Sequence, residues 1–301
     1  MKKKRTSESC IACILEKQEK NIQMVPDEVL REKYRSEIMQ TIEQRPDTDS
    51  APVIVSKLTV LAEKYLGKTD IYGPIKQKYN RIMLELSSEI RRYIEKAPDP
   101  LAQAIVFARA GNFIDFGAMH EVNDDIMHAL LDEAVALKPD PEVYQVFLHE
   151  LAGASRLVYL TDNCGEIVLD RLLIEQIRKR FPQVSVTVIV RGNPVINDAT
   201  MEDAREAGLV GLPGITVIGN GTSIAGTELT MISEGARREI DGADVIISKG
   251  QGNFETLHGC GLNIYYLFLC KCDWFSQNLD LPKLGGVFER EDVLLRRWKA
   301  G

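Results

Sequence analysis

The stretch that decides the fold runs from Leu157 to Asp198 and reads LVYLTDNCGEIVLDRLLIEQIRKRFPQVSVTVIVRGNPVIND. It begins with a strand-forming run, Leu157 to Thr161, that stops at Asp162-Asn163. A helical period follows, with Ile167, Leu169, Leu172, Leu173 and Ile177 as its apolar positions. The run Val184 to Val190 then ends at Arg191-Gly192-Asn193-Pro194. Strand, helix and strand in this order predict a βαβ unit with parallel strands. Ligands of open parallel sheets bind outside the carboxyl ends of the strands, where loops bring unlike side chains together. Asp162, Asn163, Arg191 and Asp198 are therefore expected to converge.

Toward the C-terminus the same alternation continues. Strand candidates at 157–161, 184–190, 215–218, 243–248 and 264–269 are separated by helical or loop stretches, the pattern of an α/β parallel sheet flanked by helices, a Rossmann-like three-layer arrangement. Each strand is followed by a polar or glycine-rich tip: TDNCGE, RGNPVINDAT, GNGTSIAGTE, SKGQGNFET and CKC. Tips at one edge of one sheet argue for one composite site. Residues 281 to 301 read as a terminal strand or hairpin and a short helix.

Toward the N-terminus the texture is helical. Residues 8 to 45 carry apolar positions at helical spacing, interrupted at Pro26, and a second helix runs from about Ala51 to Gly67. IKQKYNRIMLELSSEIRRYIEKA, with Ile82, Leu86, Ile90, Tyr93 and Ile94 on one face, is a long helix closed by Ala97-Pro98-Asp99-Pro100. The next helix, PLAQAIVFARAGNFIDFG, is apolar almost all round and ends in Asn112, Asp115 and Gly117. Those polar residues either cap a helix end or are delivered by a buried helix to a cleft. His120 to Lys138 reads as a further helix, as do residues 142 to 152. The expected division is a helical N-terminal domain, 1–100, and an α/β metal-binding catalytic domain, 101–301.

Composition narrows the function. The chain has 301 residues, of which 45% are hydrophobic, enough for a substantial core. Its formal charge of −7 argues against general nucleic-acid binding, which needs a basic surface to displace phosphate counterions. No apolar run reaches the roughly 18 residues of a membrane span. The basic start, MKKKRTSESC, lacks the apolar stretch of a signal peptide and reads as the solvated end of a cytoplasmic protein. Cys10 and Cys13 form a CxxC and Cys270 and Cys272 a CxC, which together could make a four-thiolate metal site. The spacing of the second pair is atypical for structural zinc, and reduced cysteines are the preferred reading. The sequence is compatible with a homo-oligomer.

The tips have a chemistry in common. A hard divalent cation takes oxygen ligands and keeps several waters, so Asp162, Asn163 and Asp198 are a sufficient set. Lys249, flanked by Gly250 and Gly252, is a natural partner for phosphate, and Asn220-Gly221-Thr222-Ser223 could add hydrogen bonds. Each piece has an ordinary alternative: Asp162 and Asp198 could cap the helices that follow them, and Lys249 could be a solvated lysine. The four histidines show no HxH or HExxH spacing, and GxSxG and GxxxxGK[ST] are absent. A zinc hydrolase, a serine hydrolase and a P-loop enzyme are thereby disfavoured.

AGNFIDFG, TDNCGE, RGNPVINDAT and SKGQGNFETL, in that order, resemble the damage-control phosphatase family, formerly domain of unknown function eighty-nine. The early CxxC and the lack of a fused kinase resemble its stand-alone microbial and archaeal branch. The resemblance implies a metal-dependent phosphatase acting on small phosphorylated metabolites, sugar phosphates or damaged phosphometabolites, with one divalent metal: magnesium, manganese, cobalt or nickel. It implies Asp162, Asn163 and Asp198 as metal ligands and Asp162, Asp198 and Lys249 as catalytic groups. Asn112, Asp115, Glu166, Arg191, Lys249 and Asn253 would bind substrate. The attacking group is either water or Asp162 itself. Cys260 and Trp274-Phe275 depart from the family pattern, so the resemblance bears on the metal more than on the substrate side of the pocket. Two rival readings remain, an S-adenosylmethionine-dependent carboxyl methyltransferase on the same fold and a non-catalytic metal or metabolite-binding protein.

Overall fold

The computed structural model describes residues 5–67, 72–112 and 137–298. The expected strands form at Arg156–Leu160 (β1), Ser185–Val190 (β2), Ile215–Gly219 (β3), Val245–Lys249 (β4) and Ile264–Leu269 (β5). A sixth, Gly286–Arg290 (β6), precedes the short helix Glu291–Arg297. Their order in the sheet is β3-β2-β1-β4-β5-β6, parallel throughout except for the antiparallel pair β5 and β6. The fold is α/β.

Side chains alternate across the sheet because the strand period is two. Leu157 and Tyr159 of β1 and Tyr265 and Leu267 of β5 enter a core with the helices Gly73–Lys96, Pro100–Gly111, Pro141–Gly153 and Glu166–Arg180. Val158, Leu160, Tyr266 and Phe268 enter the opposite core with Glu234–Asp241, Gln251–Leu257 and Asp273–Leu279. Both faces are thus covered, as the near-continuous apolar character of the strands requires.

The N-terminal helices Glu8–Gln23, Glu28–Glu43 and Ala51–Leu66 close on a small core of their own, built on Ile22, Tyr34, Ile38, Ile54 and Leu58. Pro26 interrupts the first two, and Asp27 caps the second by accepting from Leu30 N. Helix Gly73–Lys96 belongs instead to the main core through Tyr79, Met83, Ile90 and Ile94. The cores therefore divide before Gly73, not at residue 100.

The chain leaves β1 toward β2 and β3, then returns to place β4 on the other flank of β1. This reversal makes the β1/β4 boundary the switch point of the sheet, where loops diverge and leave a crevice. Among the described residues no helix is long and apolar enough to cross a membrane.

Candidate active site at the sheet switch point

Asp162 and Asn163 leave β1 in a turn that Gly165 closes at φ +68°, a left-handed conformation that suits glycine. Gly165 N donates to Asn80 Oδ1 at 2.7 Å, so the long helix Gly73–Lys96 holds the turn from behind. Asn80 is itself fixed by Asp203 (2.9 Å) and Glu206 (2.7 Å). The loop after β2 folds back over the same turn: Ala199 N donates to Asp162 O at 2.7 Å, and Asn163 and Asp198 form an isolated antiparallel bridge. The two aspartates, far apart in the chain, thereby share one pocket.

Neither aspartate is a helix cap. Helix Glu166–Arg180 starts from Gly165 with no side-chain cap, and Met201–Glu206 is started by a capping box of Thr200 and Asp203. Asp162 Oδ2 instead accepts from Asn112 Nδ2 at 3.0 Å and from Asn163 Nδ2 at 2.8 Å. Opposite it, a Cβ on Gly250 would sit 2.1 Å from Asp162 Oδ2, so the β4 tip can approach this closely only as glycine. Burial first, and then the neighbouring charges of Asp198 and Glu166, hold the Asp162 carboxyl well above the usual carboxylate range. Lys271, beyond the tip of β5, and Arg191 pull it the other way.

Arg191 is 2% exposed and almost fully engaged. Its Nε donates to Asp198 Oδ2 at 2.6 Å, and Nη1 to Gly226 O at 3.0 Å and Asn253 Oδ1 at 3.1 Å. Nη2 is buried with no hydrogen-bond partner among the described residues and lies 3.8 Å from Asp162 Oδ1. A buried guanidinium donor left without a hydrogen bond is costly, and Nη2 is chemically able to donate to an anion brought beside Asp162.

Lys249 differs from its expected place as a phosphate partner. The ammonium is 0% exposed and lies behind the carboxylates, bonded to Ala108 O at 2.9 Å, to Glu166 and to Asp170. An ammonium has three donors, and all three are used. Burial pulls its pKa down, but Asp170 and Glu166 outweigh that and hold it charged. Glu166 in turn accepts from Asn112 (3.1 Å) and Asn163 (3.1 Å), the two amides that hold Asp162.

Asn253 is likewise satisfied inside the protein. Its Oδ1 accepts from Arg191 and from Thr227 Oγ1 (2.8 Å), and its Nδ2 donates to Thr161 O (3.0 Å) and Lys249 O (2.7 Å). Asn112, at the end of helix Pro100–Gly111, uses Oδ1 to accept from Leu269 N at 3.0 Å. Asn220 Oδ1 accepts from Gly192 N and Thr222 N, both at 2.9 Å, which ties the β3 tip to the β2 tip. Of the expected site residues, Asn112, Asp162, Asn163, Glu166, Arg191, Asp198, Lys249 and Asn253 come together. Asp115 lies outside the described residues, as do His120, His128 and most of the helix expected at 120–138.

Asp170 is the member that sequence reading misses. It accepts from Tyr159 OH at 2.7 Å and from Lys249, and is fully buried. The available signal is Glu166 and Asp170 at i and i+4, two acids on one side of an otherwise apolar helix. Of the cysteines, Cys164 and Cys270 are buried, Cys10 and Cys260 half-buried, and Cys13 and Cys272 exposed; all six are free. Among the described residues, no three His, Cys, Asp or Glu side chains are grouped as metal ligands. The donor set at the switch point is two carboxylates and an amide oxygen. Here the acidic groups Asp162, Glu166, Asp170 and Asp198 outnumber the buried cations Arg191 and Lys249, and the cost of charging Asp162 in this setting is one that a hard divalent cation would relieve.

Comparison with known proteins agrees with this architecture. The family model of the damage-control phosphatase ARMT1-like domain matches residues 6–284. A relative from Pyrococcus horikoshii named damage-control phosphatase PH1575 is 30% identical over 279 residues, covering 91% of this chain and 94% of its own. One from Archaeoglobus fulgidus, named damage-control phosphatase, is 29% identical and covers 71% of this chain and 73% of its own. The crystal structure of a DUF89 family protein from Pyrococcus horikoshii superposes with a TM-score of 0.80 at 28% identity, covering 95% of this chain and 98% of the other.

Proposed function

Because the chain belongs to the damage-control phosphatase ARMT1-like family, we propose that it is a divalent-metal-dependent phosphatase of small phosphorylated metabolites, sugar phosphates or damaged phosphometabolites. The observation that carries this reading is the unmatched Nη2 of Arg191, a buried cationic donor beside a cluster of carboxylates in surplus. Acid groups alone would suit a metal store; a spare guanidinium donor at the same point suits a phosphoryl oxygen brought to it.

Asp162, Asn163 and Asp198 would hold the metal. Asn163 Nδ2 is already given to Asp162 and Glu166, which leaves Oδ1 as its donor atom. A bound divalent cation supplies charge neutralisation for the phosphoryl group and lowers the pKa of a water. Arg191 offsets charge on the phosphoryl oxygens in the transition state through Nη2, held rigid because its other nitrogens are committed to Asp198, Gly226 and Asn253. Asn253 and Thr227 orient Arg191. Lys249 acts through Glu166, which positions Asn112 and Asn163 on Asp162. Lys249 and Asp170 are thus positioning residues.

A panel of phosphoesters incubated with magnesium, manganese, cobalt and nickel in turn tests the assignment. Phosphate release that requires one of these metals is the expected result. Stoichiometric metal uptake with no release from any ester would leave only a binding protein.

A further inference from the structure

The acidic groups cluster toward β1 and β2, whereas the far end of the same sheet edge carries a positive charge that no acidic group among the described residues pairs with. Arg109 lies in the last turn of helix Pro100–Gly111, three residues before Asn112, and is half-buried. Its guanidinium lies across the start of β6: a Cβ on Gly286 would fall 2.6 Å from Arg109 Nε and 2.9 Å from Cζ. Among the described residues it has no hydrogen-bond or carboxylate partner. Burial lowers its pKa. Arg91 and Arg171, also half-buried, are by contrast matched by Glu175.

Its location connects it to the site. Gly286 is the register partner of Leu269, and Leu269 N is bonded by the same Asn112 whose Nδ2 holds Asp162. Arg109 and Asp162 therefore stand at the same edge of the sheet, between two and three strand spacings apart, roughly 10–14 Å. That spacing is on the scale of a small metabolite spanning the two. Lys271, beyond the tip of β5, adds a second positive group on this side, near enough to act on Asp162.

We propose that Arg109 is the anchor of a second anionic subsite, so that the substrate carries, besides the phosphate that is cleaved, a second phosphate or carboxylate at its far end. This inference rests on the phosphatase reading above. The partially dehydrated guanidinium gives up little water on meeting an anion, and Gly286 leaves room for it to turn. Substrates with a neutral far end would leave it unpaired.

The test compares a hexose monophosphate with the matching hexose bisphosphate in wild type, Arg109→Gln, Arg109→Lys and Gly286→Ala, with manganese present. A charge-assisted hydrogen bond contributes about 1.5–3 kcal/mol, so wild type should favour the bisphosphate in kcat/KM by roughly 10-fold to 100-fold. Arg109→Gln should erase that ratio, Arg109→Lys keep part of it, and Gly286→Ala, which crowds the guanidinium from the other side, reduce it. Binding of the two sugars to Asp162→Asn by calorimetry should show the same ratio without turnover, and Arg109→Gln in that background should remove it. Equal efficiency for the two sugars in wild type, or an equal loss for both in Arg109→Gln, would overturn the subsite. If wild type releases no phosphate from either sugar or from any ester of the panel above, the phosphatase reading fails, and the calorimetric ratio still decides whether Arg109 holds an anion.

Discussion

The tips of β2 and β4 each bury a cation in the same pocket, and they use it in opposite ways. Arg191 follows β2 and, among the described residues, leaves the two N–H donors of Nη2 unspent; Lys249 ends β4 and spends all three on Ala108, Glu166 and Asp170. Residue type at a strand end therefore says less about ligand binding than the accounting of donors does. A lysine that must hold two buried carboxylates has nothing left to offer a phosphate. An arginine has five donors in a fixed fork, and here the protein matches the others and leaves Nη2 directed at Asp162. On the proposed function, the first region meets the ligand and the second supports it.

The strongest way to break that distinction is to remove the charge that both regions surround. Asp162→Asn and Asp198→Asn should each abolish metal-stimulated phosphate release, read as a fall of at least about 10³-fold in kcat with a cooperative thermal transition retained. Full activity in either variant would reject the site. Next, Arg191→Gln should lower kcat by about 10²-fold, the scale of losing one preorganised transition-state donor. Lys249→Met should instead be read first in stability. Removing one partner of a buried ion network costs about 3–5 kcal/mol, because Glu166 and Asp170 are left facing each other without a cation. The triple variant Lys249→Met, Glu166→Gln, Asp170→Asn should recover part of the melting temperature and none of the activity. If Lys249→Met melts like wild type but loses turnover, Lys249 belongs with the site and the two regions are not different in kind. Gly250→Ala brings a methyl onto Asp162 Oδ2 and should lower activity more than it lowers the melting temperature.

Much of this was legible before any coordinates, and the reason is periodicity. β1 to β5 announce themselves as apolar runs with polar tips, and in a parallel sheet all the tips lie at one edge, so the meeting of Asp162, Asn163, Arg191 and Asp198 follows from topology. What periodicity does not carry is depth. Lys249 reads the same whether its ammonium points out of the cleft or back under it, and only the placement of Ala108 and Asp170 beneath the tip decides. Asn253 has the same ambiguity, resolved when Thr161 O, Lys249 O, Thr227 and Arg191 take all its hydrogen bonds. Cap chemistry is ambiguous for a further reason: Asp162 and Asp198 stand at cap-like spacings, and only the presence of Gly165 and the Thr200 capping box shows that the helices start without them. The break between cores before Gly73 is hidden because helix Gly73–Lys96 carries the same kind of apolar stripe as the helices before it, although it packs on a different partner.

The smallest expected effect is the sharpest probe of the support region. Tyr159 OH donates to Asp170 Oδ1 at 2.7 Å, on the same oxygen that Lys249 reaches. Tyr159→Phe removes one hydroxyl and leaves the ring packed in the main core, so no cavity forms. Asp170 would keep its cation, since the Lys249 pair is untouched. The expected cost is therefore that of one hydrogen bond to a charged group, about 1.5–3 kcal/mol at most, measured by chemical denaturation. Turnover should stay within about twofold, because the bonds of Glu166 to Lys249, Asn112 and Asn163 do not involve the deleted hydroxyl, and a rate factor of two corresponds to about 0.4 kcal/mol. A large loss of kcat with unchanged stability would mean that Asp170 and its hydroxyl donor tune the site through Lys249, and that the boundary between site and support runs one residue deeper than drawn.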